Sequence, residues 1–202
     1  MFIGITQRLI CNESYYEERE CLAKDWGELF NKDLFKNFTP LPLSYEIDFS
    51  YYKHLIKAVI LSGGNDLSFY SPNVLSKKRD LYEKQVIEIC LEEKIPLLGI
   101  CRGAQMIAHY FNSHISPCEN HIGKHEVFFS KEKFISNSFH NFAIEKLGED
   151  LVELCLAKDN TIEAFKHKYE NIFGIMWHIE REDGLNNVQI LKEWLDLIKE
   201  EK

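Results

Sequence analysis

The sequence predicts an α/β protein with a mostly parallel central sheet, helices on both faces and a small antiparallel extension. Three observations predict this fold class. Short apolar runs in the first half of the chain suit buried strands, amphipathic helical stretches lie between them, and strand-like runs with short connections follow in the second half.

The first half of the chain alternates strands with helices. Each strand is a short apolar run that ends at glycine or at a polar turn, which is typical of strands covered on both faces. The clearest helix is supported by Tyr82, Val86 and Cys90, which recur at helical spacing. In chain order, the predicted elements are strand 2–6, strand 58–62, helix 80–93, strand 96–100 and helix 104–111.

The second half contains closely spaced strands and one amphipathic helix. Short connections between several of these strands indicate antiparallel pairing. Trp194 and Leu195 belong to an apolar stripe on the last helix, whose other side is charged, so we expect this helix to pack on the sheet. The predicted elements are strands 125–129, 151–157, 161–165 and 172–177, followed by helix 188–198.

Length, charge and cysteine spacing restrict the class of protein. The 202 residues suffice for one substantial core, so we expect a single domain over 1–202. A net charge of -8 argues against nucleic-acid and anionic-membrane partners, which demand clustered positive charge. The N-terminus has no basic leader, no apolar run approaches membrane length, and the six cysteines show no paired spacing. We therefore expect a cytoplasmic protein with reduced thiols and a small-molecule partner, either monomeric or homodimeric.

Cys101 lies where a nucleophile is expected. It directly follows the third predicted strand and precedes a helical run, with small Gly99 and Gly103 on either side. This is the cysteine version of the nucleophile elbow, a sharp strand-to-helix turn that exposes a side chain at the top of a sheet. The helix N-terminus behind it favours a thiolate. Cys101 could instead be an ordinary buried cysteine, but the glycines and the polar Arg102 and Gln105 favour the nucleophile.

His178 and Glu180 are the expected partners of this cysteine. Expelling an amine needs a positioned acid that can afterwards activate water. His178 stands at the end of a strand-like run, and Glu180 can project to the same side and orient the imidazole. A separate glycine pair, Gly63-Gly64, follows the second strand and is expected to form an oxyanion loop, because glycines allow backbone N–H groups to approach a ligand.

These motifs together resemble the class I glutamine amidotransferase superfamily, and specifically its stand-alone γ-glutamyl hydrolase branch. The matching segments occur in order along nearly the whole chain. They are Phe2-Ile3-Gly4-Ile5-Thr6, Ser62-Gly63-Gly64-Asn65-Asp66, Gly99-Ile100-Cys101-Arg102-Gly103-Ala104-Gln105, Asn137-Ser138-Phe139-His140 and Trp177-His178-Ile179-Glu180. The family usually has proline where this chain has Ile179, which puts the turn geometry rather than the triad in question.

The resemblance implies a fold, a reaction and a set of site residues. The fold is the flavodoxin-like class I amidotransferase fold. The reaction is cysteine-dependent hydrolysis of a γ-glutamyl amide through a glutamyl thioester, with no cofactor. The implied roles are a catalytic triad of Cys101, His178 and Glu180, and an oxyanion hole formed by backbone N–H groups of Gly64 and Arg102. The resemblance also implies substrate binding by Gly63, Asn65 and Gln105, and by the segment Asn137, Ser138, Phe139 and His140, whose backbone would hold the glutamyl α-amino and α-carboxylate groups.

A charged leaving group would need basic side chains near the site. For a nucleoside diphosphoramidate, arginine is preferred because its guanidinium makes bidentate contacts with phosphate. The candidates are Arg8, Arg19, Arg79, Arg102 and Lys124.

A zinc site is suggested by His121 and His125, which lie four residues apart. Gly123 between them weakens a helix, no third ligand is evident nearby, and thiol chemistry accounts for the reaction without a metal. We therefore predict no metal, and we place both histidines at the substrate entrance or at a strand edge.

Other functions stay open on the sequence alone. The same triad would serve a glutaminase subunit that passes ammonia to a synthase partner, and an apolar docking patch would then be expected. A non-catalytic binding or redox-sensing module is disfavoured because both His178 and Glu180 are present. Action on proteins is disfavoured because a closed pocket for the glutamyl α-groups would exclude a polypeptide.

Overall fold

The computed structural model describes residues 1–130 and 132–200. Within these ranges the strands are β1 Phe2–Ile5, β2 Arg8–Cys11, β3 Glu18–Cys21, β4 Thr39–Pro42, β5 Ile56–Leu61, β6 Leu97–Ile100, β7 His114–Pro117, β8 Ile122–Phe129, β9 Glu132–Phe139, β10 Phe142–Lys146, β11 Leu151–Ala157, β12 Ile162–His167 and β13 Ile172–Ile175. The helices are α1 Asp25–Phe30, α2 Val74–Glu93, α3 Arg102–Tyr110 and α4 Gln189–Glu200.

One mixed sheet follows the strand order β4-β1-β5-β6-β13-β12-β11-β8-β9. Its first five strands are parallel, whereas the pairs from β13–β12 onward are antiparallel. β10 pairs with β12 and β7, and β2 and β3 form a separate hairpin. The predicted fold class is confirmed, although the antiparallel part is larger than predicted.

Apolar residues of the parallel strands alternate between two cores, one on each face of the sheet. In β5, Ala58 and Ile60 join the core that contains α1 and α4, whereas Val59 and Leu61 join the core that contains α2 and α3. Trp194 on α4 is fully buried, as its predicted stripe requires. Because each buried aliphatic side chain contributes about 1.5–3 kcal/mol, the parallel strands form a stable support for side chains at their carboxyl ends.

Several boundaries differ from the predicted ones. Helix α2 begins at Val74, six residues before the predicted start at 80, because the Asn73 side chain accepts a hydrogen bond from Ser76 N–H and caps the helix. Strand β13 ends at Ile175 rather than at 177, so His178 follows a short bend. Helix α1 and strands β2, β3, β4, β7, β9 and β10 were not predicted, because they are short or carry many polar, exposed residues.

Within the described ranges, no helix combines the length and the apolar composition of a membrane span.

The start of α3 lies against the backbone of β5. A Cβ at Gly103 would be 2.0 Å from the Leu61 carbonyl oxygen, and a Cβ at Gly99 would be 2.5 Å from the Gly103 carbonyl oxygen. Only glycine fits between these backbones. The two glycines therefore fix the first turn of α3 to the sheet beside Cys101.

Gly103→Ala is expected to destabilise the protein, because the added methyl group meets backbone atoms that cannot rotate away. Overpacking of this kind typically lowers the free energy of unfolding by about 1–3 kcal/mol. Gly27→Ala is the matched control, since a Cβ there has no heavy atom within 4 Å, and helix propensity should stabilise it by up to about 1 kcal/mol. Urea unfolding measures both variants. A Gly103→Ala protein as stable as the wild type would contradict the close approach.

Candidate active site

Cys101 occupies a strained turn between β6 and α3. Its φ is +52°, in the left-handed region, where a non-glycine residue costs about 1–3 kcal/mol. The turn is held by hydrogen bonds from Cys101 N–H to Ile175 O, at 2.8 Å, and from Gln105 N–H to Cys101 O, at 3.0 Å. The elbow predicted for this segment is present, and it places the thiol at the carboxyl ends of the parallel strands.

His178 and Glu180 form a buried pair just after β13. His178 Nδ1 lies 2.6 Å from Glu180 Oε1, which leaves Nε2 as the other ring nitrogen. A Cβ at Gly63 would lie 2.7 Å from His178 Cε1 and 3.5 Å from Cys101 Cβ, so the imidazole and the cysteine side chain are neighbours across one glycine. Ile179, in place of the family's proline, keeps the two polar side chains in register.

The environment of His178 favours its protonated form. Burial lowers the pKa of the imidazole, but the interactions with Cys101 and Glu180 outweigh burial and raise this pKa to about 9. At neutral pH the ring is therefore an imidazolium between two groups that can carry negative charge. This is the protonation state that a general acid requires.

Asn137 holds the backbone of His178 in place. Its Oδ1 accepts a hydrogen bond from His178 N–H at 2.9 Å, and its Nδ2 donates to His178 O at 2.9 Å and to Glu182 O at 2.8 Å. The Ser138 hydroxyl donates to His121 O at 2.6 Å. Both side chains are therefore engaged within the protein. The predicted substrate contact of this segment is made by its backbone, so the prediction for Asn137 and Ser138 stays a prediction.

The glycine loop after β5 is shaped by a buried guanidinium. Arg79, fully buried, donates to the carbonyl oxygens of Ser62, Gly63 and Gly64 at 2.7–3.2 Å. In a trans peptide the N–H points opposite to the preceding carbonyl, so Gly64 N–H is directed away from Arg79. No described residue accepts a hydrogen bond from this N–H. The loop can therefore offer it to a ligand, as an oxyanion hole requires.

The backbone N–H and the side chain of Arg102 have different roles. Its backbone N–H, at the first turn of α3, has no acceptor among the described residues and remains the second candidate oxyanion donor. Its side chain is buried and is paired with Glu83 and Asp80. Glu83 also accepts a hydrogen bond from Arg79 at 2.8 Å. Both buried arginines, predicted as leaving-group contacts, are therefore unavailable because this ion-pair network holds them.

Two cavities adjoin the Cys101–His178 pair. The smaller, of about 150 Å³, is lined by Cys101, Gln105, Phe139 and His140 together with the glycine loop. The Gln105 side-chain amide also donates to Phe142 O at 3.0 Å. Predicted substrate residues Gln105, Phe139 and His140 are thus brought together with Cys101.

The larger cavity, of about 260 Å³, lies on the His178 side. It is lined by Gly63, Gly64, His178 and Glu180, and by residues of α1 and the segment before it. Predicted residue Asn65 lines the smaller cavity, although its side chain also bonds the Leu9 backbone at 3.1 and 2.9 Å.

Besides Arg102, which lines the smaller cavity with its side chain held by Glu83 and Asp80, two arginines reach these cavities. Arg8 is exposed and lines both of them. Arg181, which the sequence did not suggest, lines the larger cavity, with its guanidinium carbon 4.6 Å from the Phe139 ring centroid. The sequence signal that could have identified Arg181 as a site residue was its position directly after Glu180. The other two predicted leaving-group contacts, Arg19 and Lys124, lie outside both cavities. Arg19 donates hydrogen bonds to Glu17 and Tyr15, and Lys124 forms ion pairs with Glu182 and Asp183.

A separate histidine cluster has the composition of a metal site. His121 and His125 lie next to buried Glu163, with ligand-type atoms within 4.8 Å of one another. The sequence offered no third ligand because Glu163 is supplied by β12, far along the chain. The two histidines line a cavity of about 330 Å³ that does not include Cys101.

Comparisons with known proteins identify a family and similar chains. The model of the family described as glutamine amidotransferase class-I matches residues 25–197. The gamma-glutamyl-CDP-amidate hydrolase of Campylobacter jejuni is 96% identical over 200 residues, which cover 99% of this chain and 100% of that protein. A glutamine-hydrolyzing GMP synthase subunit of Methanococcus aeolicus is 33% identical over 149 residues, which cover 69% of this chain and 72% of that protein.

Solved structures share the fold. A protein of Thermoplasma acidophilum, solved as a candidate GMP synthase subunit, superposes with a TM-score of 0.74 at 18% identity, covering 98% of this chain and 94% of that one. A glutamine amidotransferase of Thermotoga maritima gives a TM-score of 0.66 at 19% identity, covering 99% and 86%.

Glu180→Gln is expected to lower the pKa of His178, because a neutral amide stabilises an imidazolium less than a carboxylate does. In the wild type we expect ring protonation to persist up to the pKa of about 9. Glu182→Gln is the control, since that carboxylate is exposed near Lys124. NMR titration of the His178 ring, assigned by its loss in His178→Ala, measures the three proteins. The same pKa in Glu180→Gln and in the wild type would refute the proposed coupling.

Proposed function

The chain belongs to the class-I glutamine amidotransferase family, and from that membership we propose that it hydrolyses γ-glutamyl-CDP-amidate to glutamate and cytidine diphosphoramidate. It is a hydrolase of this family. The observation that carries the reaction type is the placement of Cys101, in a nucleophile elbow, beside the His178–Glu180 pair. The substrate is supported by 96% identity to a γ-glutamyl-CDP-amidate hydrolase over the full length of that protein.

The first half of the reaction forms a thioester. Cys101 Sγ attacks the δ-carbonyl carbon of the glutamyl group, and the resulting oxyanion accepts hydrogen bonds from the N–H groups of Gly64 and Arg102. Each such donor is typically worth about 3 kcal/mol. His178 Nε2–H then protonates the departing nitrogen, so the carbon–nitrogen bond breaks and the glutamyl group stays on sulfur.

The second half returns the enzyme to its starting state. Neutral His178 removes a proton from water, and the hydroxide attacks the thioester carbonyl. The carbon–sulfur bond breaks, glutamate leaves, and the imidazolium beside Cys101 is restored. Glu180 orients the ring and stabilises its charge through both halves.

The two cavities suit the two parts of the substrate. We assign the glutamyl group to the smaller cavity, where Gln105, Phe139 and His140 surround Cys101. We assign the nucleoside diphosphate to the larger cavity, where Arg8 and Arg181 supply positive charge. Guanidinium groups suit phosphate because they can donate two parallel hydrogen bonds.

The proposal includes a cellular setting. From the sequence resemblance we propose that the product serves the phosphoramidate modification of a capsular polysaccharide, in the cytoplasm. None of the six cysteines, all within the described ranges, forms a disulfide, which suits a reducing compartment. We propose that the partner is a small-molecule substrate, and that the protein binds neither nucleic acid nor a membrane. The two assembly states that we consider are a monomer and a homodimer.

Cys101→Ala is expected to abolish glutamate release from γ-glutamyl-CDP-amidate while the melting temperature and substrate binding persist. Cys11→Ala, which alters an exposed cysteine, is the control and should retain wild-type turnover. Glutamate release is measured for γ-glutamyl-CDP-amidate, glutamine and other γ-glutamyl compounds. Undiminished hydrolysis by Cys101→Ala would refute the nucleophile, and indifference to γ-glutamyl-CDP-amidate would refute the substrate.

A second candidate function is a glutaminase subunit that supplies ammonia to a synthase. It is favoured by the similarity to the Methanococcus GMP synthase subunit, and by exposed Phe69 and Leu81, which line a surface groove of about 580 Å³ together with charged residues such as Lys77 and Glu88. Measuring glutamate release from glutamine distinguishes the γ-glutamyl-CDP-amidate hydrolase from the glutaminase subunit. Rapid turnover of γ-glutamyl-CDP-amidate with no hydrolysis of glutamine eliminates the glutaminase.

Arg8→Ala is expected to raise the KM for γ-glutamyl-CDP-amidate about tenfold or more, with a smaller effect on kcat, because one charge-assisted hydrogen bond is worth about 1.5–3 kcal/mol. Arg19→Ala is the matched control, since Arg19 is exposed but lines neither cavity. Steady-state kinetics compare the two variants. Equal increases in KM would contradict a specific role for Arg8.

A further inference from the structure

Three histidines converge on one buried carboxylate, away from Cys101. Glu163 is fully buried on β12, and His121 Nδ1 and His140 Nε2 lie 3.4 and 3.5 Å from its Oε1. His125 Nε2 lies 3.5 Å from its Oε2. His121 directly precedes β8, His125 lies within β8, and His140 directly follows β9. The cluster therefore connects β8 and β9 to β12.

These contacts do not give the nitrogen and oxygen atoms of the cluster a hydrogen-bond partner. Both Glu163 oxygens and the three facing ring nitrogens are buried and have no hydrogen-bond partner among the described residues. Separations of 3.4–3.5 Å exceed the usual nitrogen-to-oxygen hydrogen-bond length. Unpaired buried polar groups are costly, so an arrangement of five such atoms needs a physical reason.

The separations match the edges of a metal coordination shell. Zinc binds imidazole nitrogen and carboxylate oxygen at about 2.0–2.2 Å, so two ligand atoms on a tetrahedron lie about 3.3–3.6 Å apart. The nitrogen-to-oxygen distances in the cluster fall in this range. A dication bound by His121, His125 and Glu163 would give the facing atoms of these three residues a partner.

The outer ring nitrogens are held as in known metal sites. His121 Nε2 lies 2.9 Å from Asp159 Oδ2, and His140 Nδ1 lies 3.0 Å from Phe142 O. A proton on each outer nitrogen would be donated to these acceptors, which leaves a lone pair on each inner nitrogen. Metal-binding histidines usually donate their other N–H to a carboxylate or a backbone carbonyl in this way.

We propose that His121, His125 and the Glu163 carboxylate, whose ligand-type atoms lie within 4.8 Å of one another, bind one zinc-class divalent transition-metal ion. The ligand set favours zinc over calcium or magnesium, because two imidazoles face one carboxylate. Three protein ligands leave a fourth position, beside His140, open to water or another group.

The ion would fix the wall of the smaller cavity. His140 lines the cavity beside Cys101, and Phe139 precedes it on β9. Glu163 O accepts a hydrogen bond from Met176 N–H at 2.8 Å, two residues before His178. By fixing Glu163, which faces His140 Nε2 at 3.5 Å, the ion would join the glutamyl-binding wall to the strand next to the triad, without touching the reacting atoms.

The alternative is a metal-free cluster in which imidazolium rings surround the Glu163 carboxylate. A second possible set uses Cys118, His121 and His140, whose ligand-type atoms also lie within 4.8 Å of one another. The glutamate-centred set is favoured because its inner atoms lack partners, whereas His140 Nδ1, the nitrogen nearest Cys118, already faces Phe142 O.

The test is metal content of the full chain, stripped with a chelator and reloaded with zinc alone. The wild type should take up about one equivalent per chain, as expected for a single site that is formed in the folded protein. His125→Ala and Glu163→Gln should lose most of it. Cys101→Ala, Cys118→Ala and His114→Ala should keep it, the last because His114 is exposed and paired with Glu145. Zinc should raise the melting temperature of the wild type and not that of His125→Ala.

Three results would overturn the proposal. The first is a reloaded wild type that is folded by circular dichroism and holds no zinc. The second is full zinc content in both His125→Ala and Glu163→Gln. The third is loss of zinc in Cys118→Ala or Cys101→Ala, which would assign the metal to the thiols. None of these readouts depends on turnover, so they do not test the proposed hydrolase activity.

Discussion

The register between β6 and β13 is the constraint on which the site depends. The two strands pair in parallel with Ile100 opposite Ile175, and the Cys101 N–H continues the pairing by donating to Ile175 O at 2.8 Å. This pairing brings His178, which follows β13 after a short bend, to the thiol that ends β6. A slip of one residue would turn every side chain of β13 to the other face and break both cores.

Rigid polar contacts complete what the sheet begins. Asn137 ties the His178 backbone to β9, and Arg79 ties the glycine loop to α2. Both side chains are buried and well supplied with hydrogen bonds, so they hold geometry without meeting substrate. Reactive groups that are held rigidly by surrounding residues are already oriented for the reaction, so less entropy is lost in reaching the transition state. The same packing stabilises the strained φ of Cys101.

Local patterns were enough to predict that Cys101 lies in a strand-to-helix turn, that His178 and Glu180 form a pair, and that a glycine loop follows β5. Cys101 follows a buried apolar run and is flanked by glycines, and Glu180 stands two residues from His178, so each signal lies within its own short segment. Four of the five parallel strands were predictable because they are almost entirely apolar, whereas the edge strand β4 carries threonine and two prolines and was missed. Even there the ends were misplaced, since the bend after Ile175 depends on tertiary contacts.

Long-range partners could not be predicted. Arg79 was interpreted as a phosphate ligand because nothing near it in sequence reveals the carbonyl groups that it meets. Glu163 lies far from His121 in the chain, so the absence of a nearby third ligand said nothing about the folded cluster. The structural role of the Asn137 side chain was also not predictable, because the resemblance assigns a contact to the backbone of the segment and says nothing about its side chains.

The central claim is that the glutamyl group passes through a thioester on Cys101. The most direct test is rapid mixing of the wild-type protein with γ-glutamyl-CDP-amidate, an acid quench and peptide mass mapping. We expect a transient gain of one glutamyl residue on the Cys101 peptide, with cytidine diphosphoramidate leaving before glutamate. An adduct on another residue, or early cytidine diphosphoramidate with unmodified Cys101, would contradict the thioester.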